Sequence, residues 1–127
     1  MNSTLNIGDY LIRQKFLGLV NHVGVFAGNN SVLQNTRDKG EHLATVQEFA
    51  DGNPVQVVHT GAQPLKVLPK IAQILSRPRK YDLFGRNCEH TATEATEGRA
   101  RSPQLWIAII VIVALGVLWF VLRKLLK

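Results

Sequence analysis

The sequence predicts an α+β chain: a small antiparallel sheet packed on a helix that carries Cys88, with one transmembrane helix at the C-terminal end. Three stretches carry that reading. VNHVGVFA at 20–27, the turn Gly28-Asn29-Asn30 and the returning run 31–36 form a β-hairpin pattern. CEHTATEATE at 88–97 has acidic residues early, Asn87 in front and Gly98 behind, which marks a capped helix. LWIAIIVIVALGVLWFVL at 105–122 carries no charge and no strongly polar group. At the helical rise that run spans about 27 Å, close to the thickness of a bilayer's hydrocarbon core.

The remaining elements follow in order. Residues 7–12 read as a first strand after Gly8-Asp9, and Asp38-Lys39-Gly40 as a polar break. Thr45 and Glu48 have the spacing of a capping box on a very short helix that stops at Asp51-Gly52. Residues 55–59 are β-branched and apolar, a strand pattern. PKIAQILSR at 69–77 opens on Pro and places Ile71, Ile74 and Leu75 on one face, a helix pattern that Pro78 ends. Residues 81–84 read as a short extended piece leading to Asn87-Cys88. The organisation expected is a domain over 1–103, a span over 104–123 and a short basic tail over 124–127.

The chain has 127 residues and a formal net charge of 15 − 9 = +6. Three of those positive charges, Arg123, Lys124 and Lys127, lie beyond the apolar run, which leaves the domain mildly basic. No basic run is interleaved with aromatics, so nucleic acid is not an expected partner. A mild positive excess suits anionic lipid headgroups instead. Trp106 and Trp119 lie near the two ends of the apolar run, where indole rings prefer the headgroup zone. A run apolar on all sides is neither an amphipathic surface helix nor a helix that so small a domain could surround. The N-terminal stretch has no apolar run of secretory-signal type, so the expected arrangement is a single-pass C-terminal anchor with the domain on the cytosolic side. The bilayer is the partner expected for residues 105–122.

Cys88 is the single cysteine, which excludes an internal disulfide and a cysteine-rich zinc site. No metal or cofactor is expected. A lone cysteine is either a small buried hydrophobe or a reactive thiol. Placed at a helix N-terminus, Cys88 has partial positive charge and free N–H groups beside it, which favour a thiolate and a tetrahedral oxyanion. His22, in the middle of a strand, is the imidazole able to take its proton. His90 fits a local hydrogen bond, Glu89 a helix-start charge, and His42 and His59 stand alone without ligand spacing.

The segment Asn87-Cys88-Glu89-His90 resembles the cysteine box of the lecithin:retinol acyltransferase-like family, which includes phospholipase A and acyltransferase enzymes and is related to the NlpC/P60 thiol hydrolases. Gly8-Asp9 resembles the opening of that family's first strand, the segment from His22 to Gly28 its hairpin, and the segment from Gly98 to Gln104 the stretch after its catalytic helix. The resemblance extends over nearly the whole chain and includes a C-terminal span. It implies a permuted NlpC/P60-like fold, Cys88 as nucleophile and His22 as general base. It also implies a second histidine twelve residues after the first; here that position is Gln34, an amide able to orient His22 through its carbonyl oxygen. The activity implied is a membrane-anchored phospholipid acyl hydrolase or acyltransferase working through an acyl-cysteine. Its acyl donor is a glycerophospholipid, and the acceptor is left open between water, an amine and an alcohol. Two alternatives remain at this point: a thiol peptidase or isopeptidase of related fold, and an inactive membrane-anchored interaction module.

Overall fold

The computed structural model describes residues 4–15 and 17–127, so the first three residues of the expected domain lie outside the described residues. Among the described residues five strands and four helices follow one another: β1 (Tyr10–Lys15), β2 (Val20–Gly28), β3 (Ser31–Thr36), β4 (Gly40–Thr45), α1 (Val46–Ala50), β5 (Gln56–Val58), α2 (Pro64–Ser76), α3 (Cys88–Glu97) and α4 (Pro103–Leu125). The strands form one antiparallel sheet in the order β4-β3-β2-β1-β5. The chain is thus α+β, with a small antiparallel sheet and one C-terminal helix long and apolar enough to cross a membrane.

The sheet is covered on both faces. Val23, Val25 and Leu33 meet Val67, Ile71 and Ile74 of α2 and Ala92 and Ala95 of α3 in the larger core. On the opposite face Leu11 and Val32 pack on Phe49 of α1. The period-two alternation of β2 therefore sends Val23 and Val25 to the two-helix face and His22 and Gly24 to the Phe49 face. A Cβ at Gly24 would come within 2.5 Å of Val32 and 2.8 Å of the Phe49 ring, so the absence of a side chain there is what lets the ring lie against the strand.

Three sequence expectations change. Asp38-Lys39-Gly40 is a turn that feeds a strand, β4, whose polarity is inverted. Glu41 is buried while Leu43 is exposed, and Glu41 is satisfied by Arg86 Nε at 2.5 Å and Thr91 Oγ1 at 2.9 Å. A hydrophobic alternation test cannot see such a strand. The second helix starts at Pro64, which occupies the first helical position, and Pro69 lies inside it. Only one intrahelical bond is lost to that ring, and Val67, Ile71 and Ile74 bury along one side across it. The first strand begins three residues later than expected. Asp9 accepts from the Asn6 amide at 2.9 Å and from His59 Nδ1 at 2.7 Å, and Gly8 takes a positive φ of 97°, so Gly8-Asp9 is a turn. Residues 81–84, expected as an extended piece, hold one arm of an isolated bridge between Asp82 and Arg86 that is closed by a turn at 83–85. The expected capping box on α1 forms, with Thr45 and Glu48 each accepting from the other's backbone N–H.

Candidate active site

β2 and β3 are paired at Val25↔Leu33 and Phe26↔Val32, then separate. Beyond that point residues 20–24 of β2 pair with β1 alone and residues 34–36 of β3 with β4 alone. The N-terminal end of α3 fills the split. Asn35 Nδ2 on β3 donates to the Arg86 carbonyl at 2.9 Å and to Thr91 Oγ1 at 3.2 Å. Small residues on the buried face of α3 (Thr91, Ala92 and Ala95) let its backbone come close to the sheet. The threonines are accommodated in the helix because Thr93 and Thr96 return their hydroxyls to the carbonyls of Glu89 and Ala92.

Asn87 caps this helix. Its Oδ1 accepts from the Glu89 amide at 2.9 Å and the His90 amide at 3.2 Å, and its Nδ2 donates to Leu83 O and Ser102 Oγ. His90 Nδ1 accepts from the Asn87 amide at 3.0 Å, completing a capping box. His90 is therefore a structural residue, as the sequence indicates. Cys88 is the first residue of the helix. Its Sγ lies 3.9 Å from the Asn21 carbonyl, next to His22 on the open edge of β2.

The structure brings His22 and Gln34 into direct contact: Nε2 of the ring is 2.9 Å from Gln34 Oε1, in the buried interior. The ring stacks on Phe49 with centroids 5.1 Å apart and an interplanar angle of 21°. A third residue, unassigned by the sequence, extends the chain. Gln34 Nε2 is 3.1 Å from His42 Nε2, and His42 Nδ1 is 2.8 Å from the Gly40 carbonyl. A carbonyl only accepts, so His42 carries its proton on Nδ1 and accepts at Nε2. Gln34 then donates through its NH₂ and accepts through Oε1, and the proton of neutral His22 resides on Nε2. The lone pair of His22 is left on Nδ1, which has no hydrogen bond among the described residues. One backbone carbonyl thus sets the tautomer of His22 through two side chains. The signal that could have found His42 is its place eight residues after Gln34, directly opposite it across β3 and β4.

The electrostatics give a neutral pair. Burial, with Lys15 and Arg13 nearby, lowers His22 from 6.5 to about 4, against the upward pull of the Gln34 bond. Burial raises the Cys88 thiol; Glu89 pushes the same way, while the Val23 amide and Lys15 pull it down. Both shifts favour the neutral forms, a thiol at Cys88 and an imidazole at His22, and among the described residues no hydrogen bond joins the two side chains. No family model and no curated protein matches this chain.

A groove of about 550 Å³ runs from Cys88 along the first turns of α4. Leu19 of the β1–β2 loop and Val20 at the start of β2 form one lip, Leu83 and Phe84 the other, and Leu105, Ile109 and Ile112 of α4 the floor. Gln104 fixes α4 to the split: its Oε1 accepts from the Asn21 amide at 2.9 Å and its Nε2 donates to the Asn21 carbonyl at 3.1 Å. A larger hollow of about 830 Å³ between β1 and residues 53–56 contains no thiol or imidazole. Among the described residues no three His, Cys, Asp or Glu side chains converge as metal ligands would.

Proposed function

We propose that the chain is a membrane-anchored thiol acyltransferase or acyl hydrolase of the lecithin:retinol acyltransferase-like kind, with a permuted NlpC/P60-like fold. The observation that carries the proposal is the apolar groove that ends on the Cys88 sulfur and is floored by the helix able to cross the membrane. Such a groove suits an acyl chain and offers few polar partners to a peptide backbone, which favours a lipid substrate over a peptide.

Cys88 is the nucleophile, His22 the general base and Gln34 the residue that orients His22. As the sulfur attacks the ester carbonyl of a glycerophospholipid, the thiol proton moves to His22 Nδ1. The raised thiol and lowered imidazole make that transfer part of the attack itself instead of a preformed ion pair. The carbonyl oxygen gains the negative charge beside the Cys88 amide; the amides of Glu89 and His90 are already taken by Asn87. The C–O ester bond breaks, His22 returns its proton to the leaving alkoxide, and acyl-Cys88 and a lysophospholipid remain. Water or another acceptor then loses a proton to His22, takes the acyl group and restores the thiol. The domain faces the cytosol in this reading.

Intact-mass measurement of the full chain after exposure to phospholipid vesicles tests it. The parent gains an acyl mass on Cys88, and Cys88→Ala gains none and releases no fatty acid. Equal fatty-acid release by parent and Cys88→Ala would overturn the assignment. The absence of a Cys88–His22 hydrogen bond favours a second reading, a membrane-anchored interaction module without activity. That reading predicts no labelling of Cys88 by an acyl-directed probe above the level of the denatured chain.

A further inference from the structure

We infer that the lips of the groove are themselves immersed in the bilayer, so that Cys88 meets its substrate below the headgroup plane. The inference rests on α4 being the membrane span, and it follows from length. The uncharged run of α4 is 105–122, about 27 Å of helix, which leaves nothing to spare against a hydrocarbon core of about 30 Å. Yet Leu105, Ile109 and Ile112 all line the groove. The domain therefore flanks about the first 10 Å of that run. Beyond Ile112 only residues 113–122 remain, about 15 Å, half of what a crossing needs. If the domain stayed in water, Trp106 would be pulled out of the membrane interface and the helix could not reach the far side. If α4 crosses at full length, the structures beside residues 105–112 go down with it.

The side chains at that depth fit the solvent. Leu19 is exposed at 84 %, Phe84 at 70 % and Leu83 at 47 %. Large apolar groups on the two lips of the groove, beside one apolar helix, are costly in water and favourable among acyl chains. Arg99, exposed just before α4, then falls at headgroup level, where anionic lipid attracts it. The occupant of this surface is the lipid bilayer, continuous with the span.

The test uses the full chain in vesicles of phosphatidylcholine and phosphatidylserine. An environment-sensitive fluorophore is attached to single cysteines in the Cys88→Ala background: Leu19→Cys at the lip, Ile110→Cys on α4 and Lys66→Cys at the start of α2. Quenching is read with lipids spin-labelled near the headgroup end of the acyl chain and with aqueous iodide. The expected result is strong lipid quenching at residues 19 and 110, several-fold above that at 66, and iodide quenching at 66 alone. Iodide quenching at 19 like that at 66, with 110 still lipid-quenched, overturns the immersion and leaves the anchor standing. Iodide quenching at all three sites overturns the anchor as well.

Discussion

The two halves of β2 are built from similar residues and do different work. Val25 and Phe26 are paired on both sides, to β1 or its preceding turn and to β3, and their backbone groups go into the sheet ladder. Asn21, His22 and Val23 are paired only to β1, and the backbone groups on their other side are given to Gln104 and Cys88. Buried backbone donors and acceptors must find partners. Where a neighbouring strand leaves, the partners are a side chain that imitates a strand and a sulfur at a helix tip. The closed half of β2 is a packing element and the open half is a docking edge.

The largest effect should come from removing the packing that holds the open half in shape. Phe49 is fully buried, stacks on His22 and fills the space left by Gly24. Phe49→Ala should cost about 3–5 kcal/mol, in line with large-to-small changes in cores. Chemical unfolding in detergent micelles measures it. A cost under about 1 kcal/mol would mean that this face of the sheet is not a core.

Next comes the burial of His22 itself. The ring titrates near 6.5 when free and near 4 in the fold. Between those values the unfolded chain binds more protons, so stability falls as pH drops from about 6.5 to about 4. The full difference is on the order of 3 kcal/mol, from about 1.4 kcal/mol for each tenfold loss of proton affinity. The parent should therefore lose more stability between neutral pH and about pH 4 than His22→Gln does. Equal losses would place the imidazole in contact with water.

These two residues also show what was legible beforehand. The hairpin that presents His22, the Asn87 cap and the apolar run of α4 each have a local signature, a period or a cap, and each lies close to where the sequence puts it. β4 has no such signature because its most deeply buried side chain is Glu41, whose partners Arg86 and Thr91 come from distant parts of the chain. The place of Gln34 beside His22 was indicated by the family resemblance and not by the hairpin pattern, since β2 and β3 no longer pair there. The role of His42 was not, because it depends on the pairing of β3 with a strand whose polarity is inverted. The stack on Phe49 was equally hidden, since it needs α1 to fold over the sheet and Gly24 to leave room.

A smaller effect is expected at the junction with α4. Gln104 makes two hydrogen bonds to Asn21, and Gln104→Ala leaves that backbone pair to water. The cost should be about 1–2 kcal/mol. Amide exchange at Asn21 should accelerate while that at Val25 is unchanged, which separates the open half of β2 from the closed one. Acceleration at both positions would show that the strand opens as a single unit.

The smallest energetic change should be the most informative about the site. His42 is only partly buried and touches neither Cys88 nor His22 directly, so His42→Ala should cost under about 1 kcal/mol. Its loss removes the acceptor that fixes the Gln34 amide, and a flipped amide would present NH₂ to His22 in place of a carbonyl. His22 would then hold its proton on Nδ1, the nitrogen that the proposed base role needs free. Nitrogen chemical shifts of the His22 ring report the tautomer directly, without reference to any activity. The parent should show a single Nε2–H form and His42→Ala a mixture, with His42→Gln, which keeps an acceptor oxygen for the Gln34 amide, restoring the parent pattern. An unchanged tautomer in His42→Ala would confine the ordering of His22 to Gln34 and Phe49, and make the open edge of β2 independent of β4.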